Sequence, residues 1–122
     1  MNVVDSSAWI AWFRGDSHAG HFARPIRDLE RLIVPTITLT EVFKYLARFL
    51  EERDALLAVA HMQQGMVVPL DAPLAVNAAV FGRELKLPLA DSIVYATARR
   101  FDAVVWTRDA NFKGLDKVRY FS

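Results

Sequence analysis

Short runs of consecutive apolar residues recur along the chain, separated by longer segments with helical periodicity. The five candidate strands are residues 2–4, Leu32–Val34 closed by Pro35, Met66–Leu70, Ala103–Thr107 and Val118–Phe121. Because these runs do not alternate apolar with polar residues, they are typical of strands buried on both faces. Helices between such strands favour a mostly parallel sheet covered on both sides. The sequence therefore predicts an α/β fold, a three-layer α/β/α sandwich with four to five short strands.

The helices are predicted from apolar residues at helical spacing and from residues typical of helix ends. They are Ser6–Phe13, a helix that begins at Thr38 and includes Leu50, Asp54–Gln64, a helix from Asp71 through Ala79 to Glu84, and Leu89–Phe101. Gly65 is predicted to cap the third of these helices and Asp71 to cap the fourth. The segment up to about Arg31 has little periodicity, and Pro25 either breaks or starts a helix there.

Length and composition narrow the class of protein. The 122 residues fit one domain, residues 1–122, and 53% hydrophobic residues suffice for a core, which excludes a disordered binding segment. The absence of cysteine excludes disulfides, thiolate zinc sites and thiol nucleophiles, and it suits a reducing compartment. No signal-peptide layout and no apolar run of roughly 20 residues is present, so we expect a cytoplasmic protein without a membrane segment. A net charge of +1 means that binding to nucleic acid would depend on a local basic patch.

Four acidic residues, Asp5, Glu41, Asp91 and Asp109, lie where strands are predicted to end or helices to start. Asp5 ends the first strand and Asp109 lies two residues past the fourth, whereas Glu41 and Asp91 fall in the first turns of predicted helices. Ligands of open α/β sheets bind at the carboxyl ends of the strands. Carboxylates gathered there repel one another, and Mg²⁺ or Mn²⁺, which prefer oxygen ligands, would offset that repulsion.

Each acid also has a purely structural interpretation. Asp5 and Asp109 could cap the helices that follow them. Thr38 and Glu41 have the spacing of a capping box, and Asp91 would complement a helix dipole. Position alone leaves both interpretations open.

The strings around the four acids resemble those of PIN-domain nucleases, and most closely the VapC-type toxins of toxin–antitoxin pairs. They run D-S-S-A-W-I from Asp5, I-T-L-T-E-V from Ile37, L-P-L-A-D-S-I-V-Y-A-T-A from Leu87 and T-R-D-A-N-F from Thr107. Each string is moderately specific, whereas all four in this order, in a chain of this length, are highly specific. The resemblance covers most of the chain but not the segment between residues 14 and 32.

The resemblance implies a hydrolytic endoribonuclease in which Asp5, Glu41, Asp91 and Asp109 hold one or two Mg²⁺ or Mn²⁺ ions. Ser7 and Thr107 resemble the hydroxyl residues that orient those carboxylates. Metal-activated water would attack the phosphodiester and leave 5′-phosphate and 3′-hydroxyl ends. Glu41 would bind metal directly, bind it through water, or orient the nucleophile, and the sequence does not separate these roles.

RNA would also need cationic side chains near the acids. The candidates are Lys44 and Arg48 after Glu41, and Arg108 and Lys113 beside Asp109. Arg99 and Arg100 are better explained as a solvated charged face. The three histidines, His18, His21 and His61, form no evident acid–base constellation, and we interpret them as structural or solvated.

The resemblance further implies a small VapB-type antitoxin as partner and a homodimer or a hetero-oligomer with it. Tyr45 and Phe49, four residues apart on one helix, are candidates for an apolar groove that receives an antitoxin helix, as is Trp12. Trp9 and Phe43 are more simply explained as core residues.

Two other classes of function remain as alternatives. One is a PIN fold that binds RNA or protein without catalysis, which the complete set of acids disfavours. The other is a phospho-acceptor receiver-like signalling domain, which would need an adjacent pair of acids after the first strand, where Val4 precedes Asp5.

Overall fold

All five predicted strands form, and they lie in one parallel sheet. The computed structural model describes residues 1–122. The strands are β1 (Asn2–Val4), β2 (Leu32–Pro35), β3 (Met66–Val68), β4 (Val104–Thr107) and β5 (Val118–Tyr120). The helices are α1 (Ser6–Arg14), α2 (Ala23–Arg27), α3 (Thr36–Leu46), α4 (Glu52–Met62), α5 (Ala72–Leu85) and α6 (Leu89–Arg100). Short 3₁₀ helices cover Ala19–Phe22, Leu29–Arg31 and Ala110–Phe112.

The strand order is β3-β2-β1-β4-β5, and every neighbouring pair is parallel. The chain moves outward from β1 to β3 and then returns to the other side of β1 for β4 and β5. In such sheets, ligands bind where the connections diverge, at the carboxyl ends of the two strands concerned. Here those strands are β1 and β4, whose residues Val4 and Trp106 lie side by side.

The sheet is buried on both faces, as the apolar runs predict. Alternate residues of each strand enter separate cores of 14 buried residues each. Val3, Ile33 and Val105 pack with residues of α5 and α6. Val4, Val34 and Trp106 pack on the opposite face with residues of α1, α3 and α4, including Trp9, which is 1% exposed. The predicted three-layer α/β/α sandwich is therefore confirmed.

Several predicted helix ends are confirmed. The Asp71 carboxylate accepts a hydrogen bond of 2.9 Å from the backbone N–H of Leu74, and it caps α5 as predicted. Gly15 ends α1 in the left-handed conformation, with φ of 69°. None of the helices combines the length and apolar character that crossing a membrane requires.

Two predictions about helix ends are wrong. Helix α3 begins at Thr36 after Pro35, so Thr38 lies inside it and donates a hydrogen bond of 2.7 Å to the Pro35 carbonyl. The capping box between Thr38 and Glu41 therefore does not form. The same helix ends at Leu46, before the predicted Leu50.

Gly65 does not cap α4, which ends at Met62 with Gln63 as its C-cap residue, but it has another structural role. A Cβ atom at this position would lie 2.8 Å from the Leu32 carbonyl oxygen and 3.0 Å from side-chain carbons of Leu32 and Val34. Because the nearest atom belongs to the backbone of β2, it cannot rotate away. Gly65 thus permits the close approach of the chain to β2 as it enters β3.

We expect Gly65→Ala to lower the free energy of unfolding by about 1–3 kcal/mol, the usual cost of overpacking a well-packed site. The matched control is Gly20→Ala, because a Cβ there would meet nothing within 4 Å. Urea denaturation of both variants measures the difference. Equal stability of the two would contradict the proposed close approach.

Candidate functional site

Asp5 is the most deeply buried of the four predicted acids, and two hydroxyl groups hold it. It follows β1 directly and is 2% exposed. Its Oδ2 accepts hydrogen bonds from Ser7 Oγ at 2.8 Å and from Thr107 Oγ1 at 3.0 Å. Asp5 makes no side-chain capping bond to α1, so its interpretation as a simple helix cap is wrong.

Backbone groups in turn support both hydroxyls. The N–H of Arg108 donates to Ser7 Oγ at 3.0 Å, and the N–H of Asp109 donates to Thr107 Oγ1 at 2.8 Å. Each hydroxyl has one proton, which it gives to Asp5, so the 3.2 Å separation of the two hydroxyl oxygens is a contact rather than a hydrogen bond. Ser7 and Thr107 therefore orient Asp5.

The second oxygen of Asp5, Oδ1, is buried and has no hydrogen-bond partner. Burying a carboxylate oxygen without a partner is unfavourable, and such atoms are rare in folded proteins. A cation beside Oδ1 would supply the missing interaction. The donor set of the site, which consists of carboxylate oxygens, is the one that Mg²⁺ and Mn²⁺ prefer.

Asp91 and Asp109 meet at the same edge, and Asn111 joins them. Asp91 lies in the first turn of α6, and Asp109 begins the 3₁₀ helix after β4. Asn111 donates its side-chain amide to Asp91 Oδ2 at 3.0 Å and its backbone N–H to Asp109 Oδ1 at 2.9 Å. The sequence analysis did not select Asn111, although its position two residues after an aspartate is typical of an Asx turn.

Glu41 reaches the same group from α3. The correct start of α3 places Glu41 in its second turn, not its first, and it is half-buried. Burial raises the pKa of Glu41, the Ser6 hydroxyl lowers it, and the charges of Asp5 and Asp109 raise it further. We call the four residues Asp5, Glu41, Asp91 and Asp109 the acidic centre.

The pKa values of Asp5, Glu41 and Asp91 are raised by burial and by the charges of neighbouring acids of the centre. Burial raises the pKa of Asp5 most strongly, the Ser7 and Thr107 hydroxyls oppose that effect, and the charge of Asp109 adds to it. Burial also raises the pKa of Asp91 to about 7, with Asn111 opposing and with Asp109 and Asp5 contributing. The site therefore concentrates negative charge that is costly without a counter-ion.

As the side chains stand, no three or more carboxylate or imidazole groups lie close enough together to hold one metal ion. The acidic centre fits a divalent cation through its oxygen donors and the unpartnered Oδ1 of Asp5. Rotation of carboxylate side chains would have to accompany binding.

The four side chains predicted to contact RNA differ in whether another group of the protein already binds them. The guanidinium of Arg108 bonds Asp16 at 2.9 Å, so it is already paired. Lys113 is exposed, with Nζ 5.6 Å from the ring centre of Tyr120. Lys44 and Arg48 line an open cavity of about 300 Å³ together with Glu41 and Tyr45.

Arg99 and Arg100 form ion pairs with other residues and are not among the predicted RNA contacts. Arg99 pairs with Asp116 at 3.2 Å, and Arg100 makes two bonds of 3.0 Å to Asp71. Their interpretation as a charged surface is supported.

A separate apolar groove lies between α1 and the end of α3. It has a volume of about 320 Å³ and is lined by Phe13, Arg14, Tyr45, Leu46, Phe49 and Leu50. Phe49 is 65% exposed, and its ring centre lies 5.2 Å from that of Tyr45. Trp12 is not among the residues that line the groove, and the Arg27 guanidinium lies over its ring at 5.4 Å.

The family of the protein follows from its sequence and fold together. The model of the PIN domain matches residues 3–118, so the chain belongs to the PIN-domain family. A search of curated protein sequences finds no significant match.

Three solved structures illustrate the fold that this chain shares with other proteins. A chain of a toxin–antitoxin complex from Klebsiella pneumoniae is 22% identical with a TM-score of 0.81, and the match covers 98% of this chain and 96% of that one. VapC20 of Mycobacterium tuberculosis, a toxin that cleaves the sarcin–ricin loop, is 22% identical with a TM-score of 0.77 and 97% coverage of both chains. A chain of DNA-bound VapBC from Salmonella typhimurium is 18% identical with a TM-score of 0.78, covering 98% of this chain and 96% of that one.

The raised pKa of Asp91 predicts how stability depends on pH without metal. Between about pH 5 and pH 7 the folded protein keeps a proton on Asp91 that the unfolded chain has released. The unfolding free energy therefore falls as the pH rises across this range, because the folded state binds more protons. We expect the Tm of chelator-treated protein to be lower at pH 8 than at pH 5.

Asp91→Asn should reduce this pH-dependent fall in Tm, since it removes one of the protons that folding takes up. Asp54→Asn, at an acid on α4, should keep the wild-type fall. Differential scanning calorimetry measures all three proteins. The same fall in Asp91→Asn as in wild type would show that Asp91 ionises normally.

Proposed function

We propose that this PIN-domain protein is a divalent-metal-dependent endoribonuclease and the toxin of a VapBC-type toxin–antitoxin pair. A single observation carries the proposal. The buried carboxylate of Asp5, one oxygen of which has no hydrogen-bond partner, lies beside Asp91 and Asp109 at the carboxyl ends of β1 and β4, where the connections of the sheet diverge. Nucleases of this family generally use divalent metals. The similar VapC20 structure is that of an RNA-cleaving toxin.

Asp5, Asp91 and Asp109 would hold Mg²⁺ or Mn²⁺, and Glu41 would bind the ion or orient the attacking water. The bound ion would activate water and stabilise charge on the phosphodiester, giving 5′-phosphate and 3′-hydroxyl products. Ser7 and Thr107 keep Oδ2 of Asp5 occupied, so that Oδ1 is the oxygen left for the ion. Asn111 sets the distance between Asp91 and Asp109 by bonding both.

The apolar groove supports the proposed antitoxin partner. The expected pair on one helix does not form, because Phe49 lies beyond the end of α3, but its exposed ring and that of Tyr45 line an apolar groove of the kind that receives an amphipathic helix. The groove also adjoins Lys44 and Arg48 through their shared neighbour Tyr45. A helix bound in the groove would therefore lie close to the acidic centre. Tyr45 and Phe49 are the proposed antitoxin contacts, whereas Trp12 lies outside the groove.

A non-catalytic PIN-fold binding module is the second candidate function. It would keep RNA or protein binding without phosphodiester cleavage. Nothing in the acidic centre favours it, since no acid is replaced and each is within electrostatic reach of another. The receiver-like alternative is excluded by the PIN-domain family.

The nuclease proposal predicts metal-dependent cleavage that Asp91→Asn abolishes. Losing one ligand charge should reduce the rate by at least about 100-fold, because metal affinity and water activation both depend on it. The measurement is cleavage of end-labelled structured RNAs by purified, antitoxin-free protein in Mg²⁺, Mn²⁺ or chelator. The matched control, Asp54→Asn, should cleave like wild type.

RNA cleavage that persists both in chelator and in the Asp91→Asn variant would contradict the proposed mechanism. Cleavage that leaves 2′,3′-cyclic phosphate ends would contradict hydrolysis by water. Metal binding by calorimetry, without cleavage of any RNA tested, would favour the binding module.

The antitoxin proposal predicts separable effects of the groove and the acidic centre. Expression of the protein alone should arrest growth, and Asp5→Asn should relieve the arrest. Phe49→Asp should keep the arrest but lose rescue by the antitoxin encoded beside it, because a buried charge in the groove is costly.

Val76→Asp is the matched control for this experiment. Val76 is 67% exposed and lies on α5, on the opposite face of the sheet. Colony counts with and without the antitoxin give the readout. Full rescue of Phe49→Asp would remove the groove from the antitoxin interface.

A further inference from the structure

An open cavity of about 380 Å³ lies where β5 ends, and no part of the proposed mechanism uses it. It is lined by His18, His21, Lys113, Tyr120, Phe121 and Ser122. No aspartate or glutamate side chain is among these residues. The cavity thus combines cationic or proton-binding groups with aromatic rings, in contrast to the acidic centre.

The rings of the cavity are already held in place. His21 stacks on Phe121 with ring centres 4.2 Å apart and planes 11° apart. Phe121 in turn packs edge-on against the buried Phe22, at 5.8 Å. Lys113 lies over the ring of Tyr120. A ligand would therefore meet preformed ring edges and faces, with little ordering to do.

Short connections tie the cavity to the acidic centre. The N–H of Phe121 donates to the carbonyl of Thr107 at 2.9 Å, and the hydroxyl of Thr107 holds Asp5. Lys113 ends the 3₁₀ helix that Asp109 begins. The loop with His18 and His21 follows Asp16, which bonds Arg108 next to Asp109. The cavity therefore flanks the acidic centre along the carboxyl edge of the sheet.

On the other flank of the acidic centre lie Lys44 and Arg48, beside Glu41 on α3. The strand order puts α3, which follows β2, and the end of β5 on opposite sides of β1 and β4. A strand of RNA that crosses the edge of the sheet from α3 to β5 would pass over the carboxylates between Lys44 and Arg48 on one flank and Lys113 on the other. This charge distribution matches a phosphate backbone.

We propose that the cavity binds one nucleotide of single-stranded RNA next to the phosphodiester that is cut. Tyr120 and His21 contact its base, and Lys113 binds its phosphate. The inference rests on the proposed nuclease function, which it extends by a substrate subsite. Bases stack on aromatic side chains only when they are unpaired, so the subsite selects single-stranded segments and loops.

The test compares RNA affinity of four variants with wild type, using a fluorescent ten-nucleotide single-stranded RNA in chelator so that no cleavage occurs. Tyr120→Leu removes the aromatic ring, and its matched control Tyr120→Phe keeps it. Lys113→Ala removes a charge at the cavity, and its matched control Arg83→Ala removes a charge from the exposed face of α5. Circular dichroism melting verifies that each variant folds.

We expect Tyr120→Leu to weaken binding by about 5-fold or more, the range for loss of one base stack, and Tyr120→Phe to bind within about twofold of wild type. Lys113→Ala should weaken binding. It should also make the negative slope of log affinity against log salt shallower by about 0.7, whereas Arg83→Ala should not change that slope. Duplex RNA of the same sequence should show no difference between Tyr120→Leu and Tyr120→Phe.

Binding of Tyr120→Leu and Lys113→Ala within twofold of wild type would overturn the subsite, and so would failure of the wild-type protein to bind single-stranded RNA. Metal-dependent cleavage of structured RNA, measured in parallel, separates this result from the nuclease proposal. If the wild-type protein cleaves RNA and the cavity variants bind RNA as tightly as wild type, the nuclease proposal is supported and the subsite proposal is contradicted. If the cavity variants bind RNA more weakly than wild type and no protein cleaves RNA, the subsite proposal is supported and the nuclease proposal is contradicted.

Discussion

Parallel pairing of β1 with β2 on one side and β4 on the other determines where every functional group of this protein lies. Because β1 is central and buried on both faces, the residue that follows it is forced to the edge of the sheet while still enclosed by α1 and β4. Asp5 occupies that position at 2% exposure. The other acids approach the same point from α3, α6 and the turn after β4, so the sheet order itself gathers the charges.

The gathering of carboxylates opposes folding, and the local hydrogen bonds reduce that cost only in part. Ser7 and Thr107 satisfy one oxygen of Asp5, and Asn111 bonds both Asp91 and Asp109. The remaining oxygen of Asp5 and the raised pKa of Asp91 mark what these bonds leave uncompensated. Neutral residues would avoid this cost, so stability alone does not explain the uncompensated charge, which is consistent with the cation proposed for the acidic centre.

Much of the fold could be predicted from the sequence because its signals are local. The unbroken apolar runs predicted all five strands, and Asp71 predicted the start of α5. The start of α3 was predicted too late because no loop separates β2 from α3. Pro35 is both the last residue of β2 and the N-cap residue of α3, and Thr38 is a residue type that itself favours the N-cap position. Gly65 was misjudged because its role depends on β2, which is distant in sequence. The four acids were selected from their motifs. Asn111 has only the local signal of an Asx turn, and its bond to Asp91, like the cavity at the end of β5, depends on contacts between segments that no local pattern reveals.

The hydrogen bond between Thr107 and Asp5 joins residues 102 positions apart. During synthesis, a chain that has not yet reached Thr107 lacks β4, one of the two hydroxyls that hold Asp5, and Asp109 as well. Strand β1 can pair with β2 early, but its other neighbour, β4, exists only after about a hundred further residues, and closing that loop is a non-local step. The acidic centre can therefore form only after Asp109 has been synthesised, and a chain that stops before Thr107 would lack both Asp109 and one of the hydroxyls that hold Asp5.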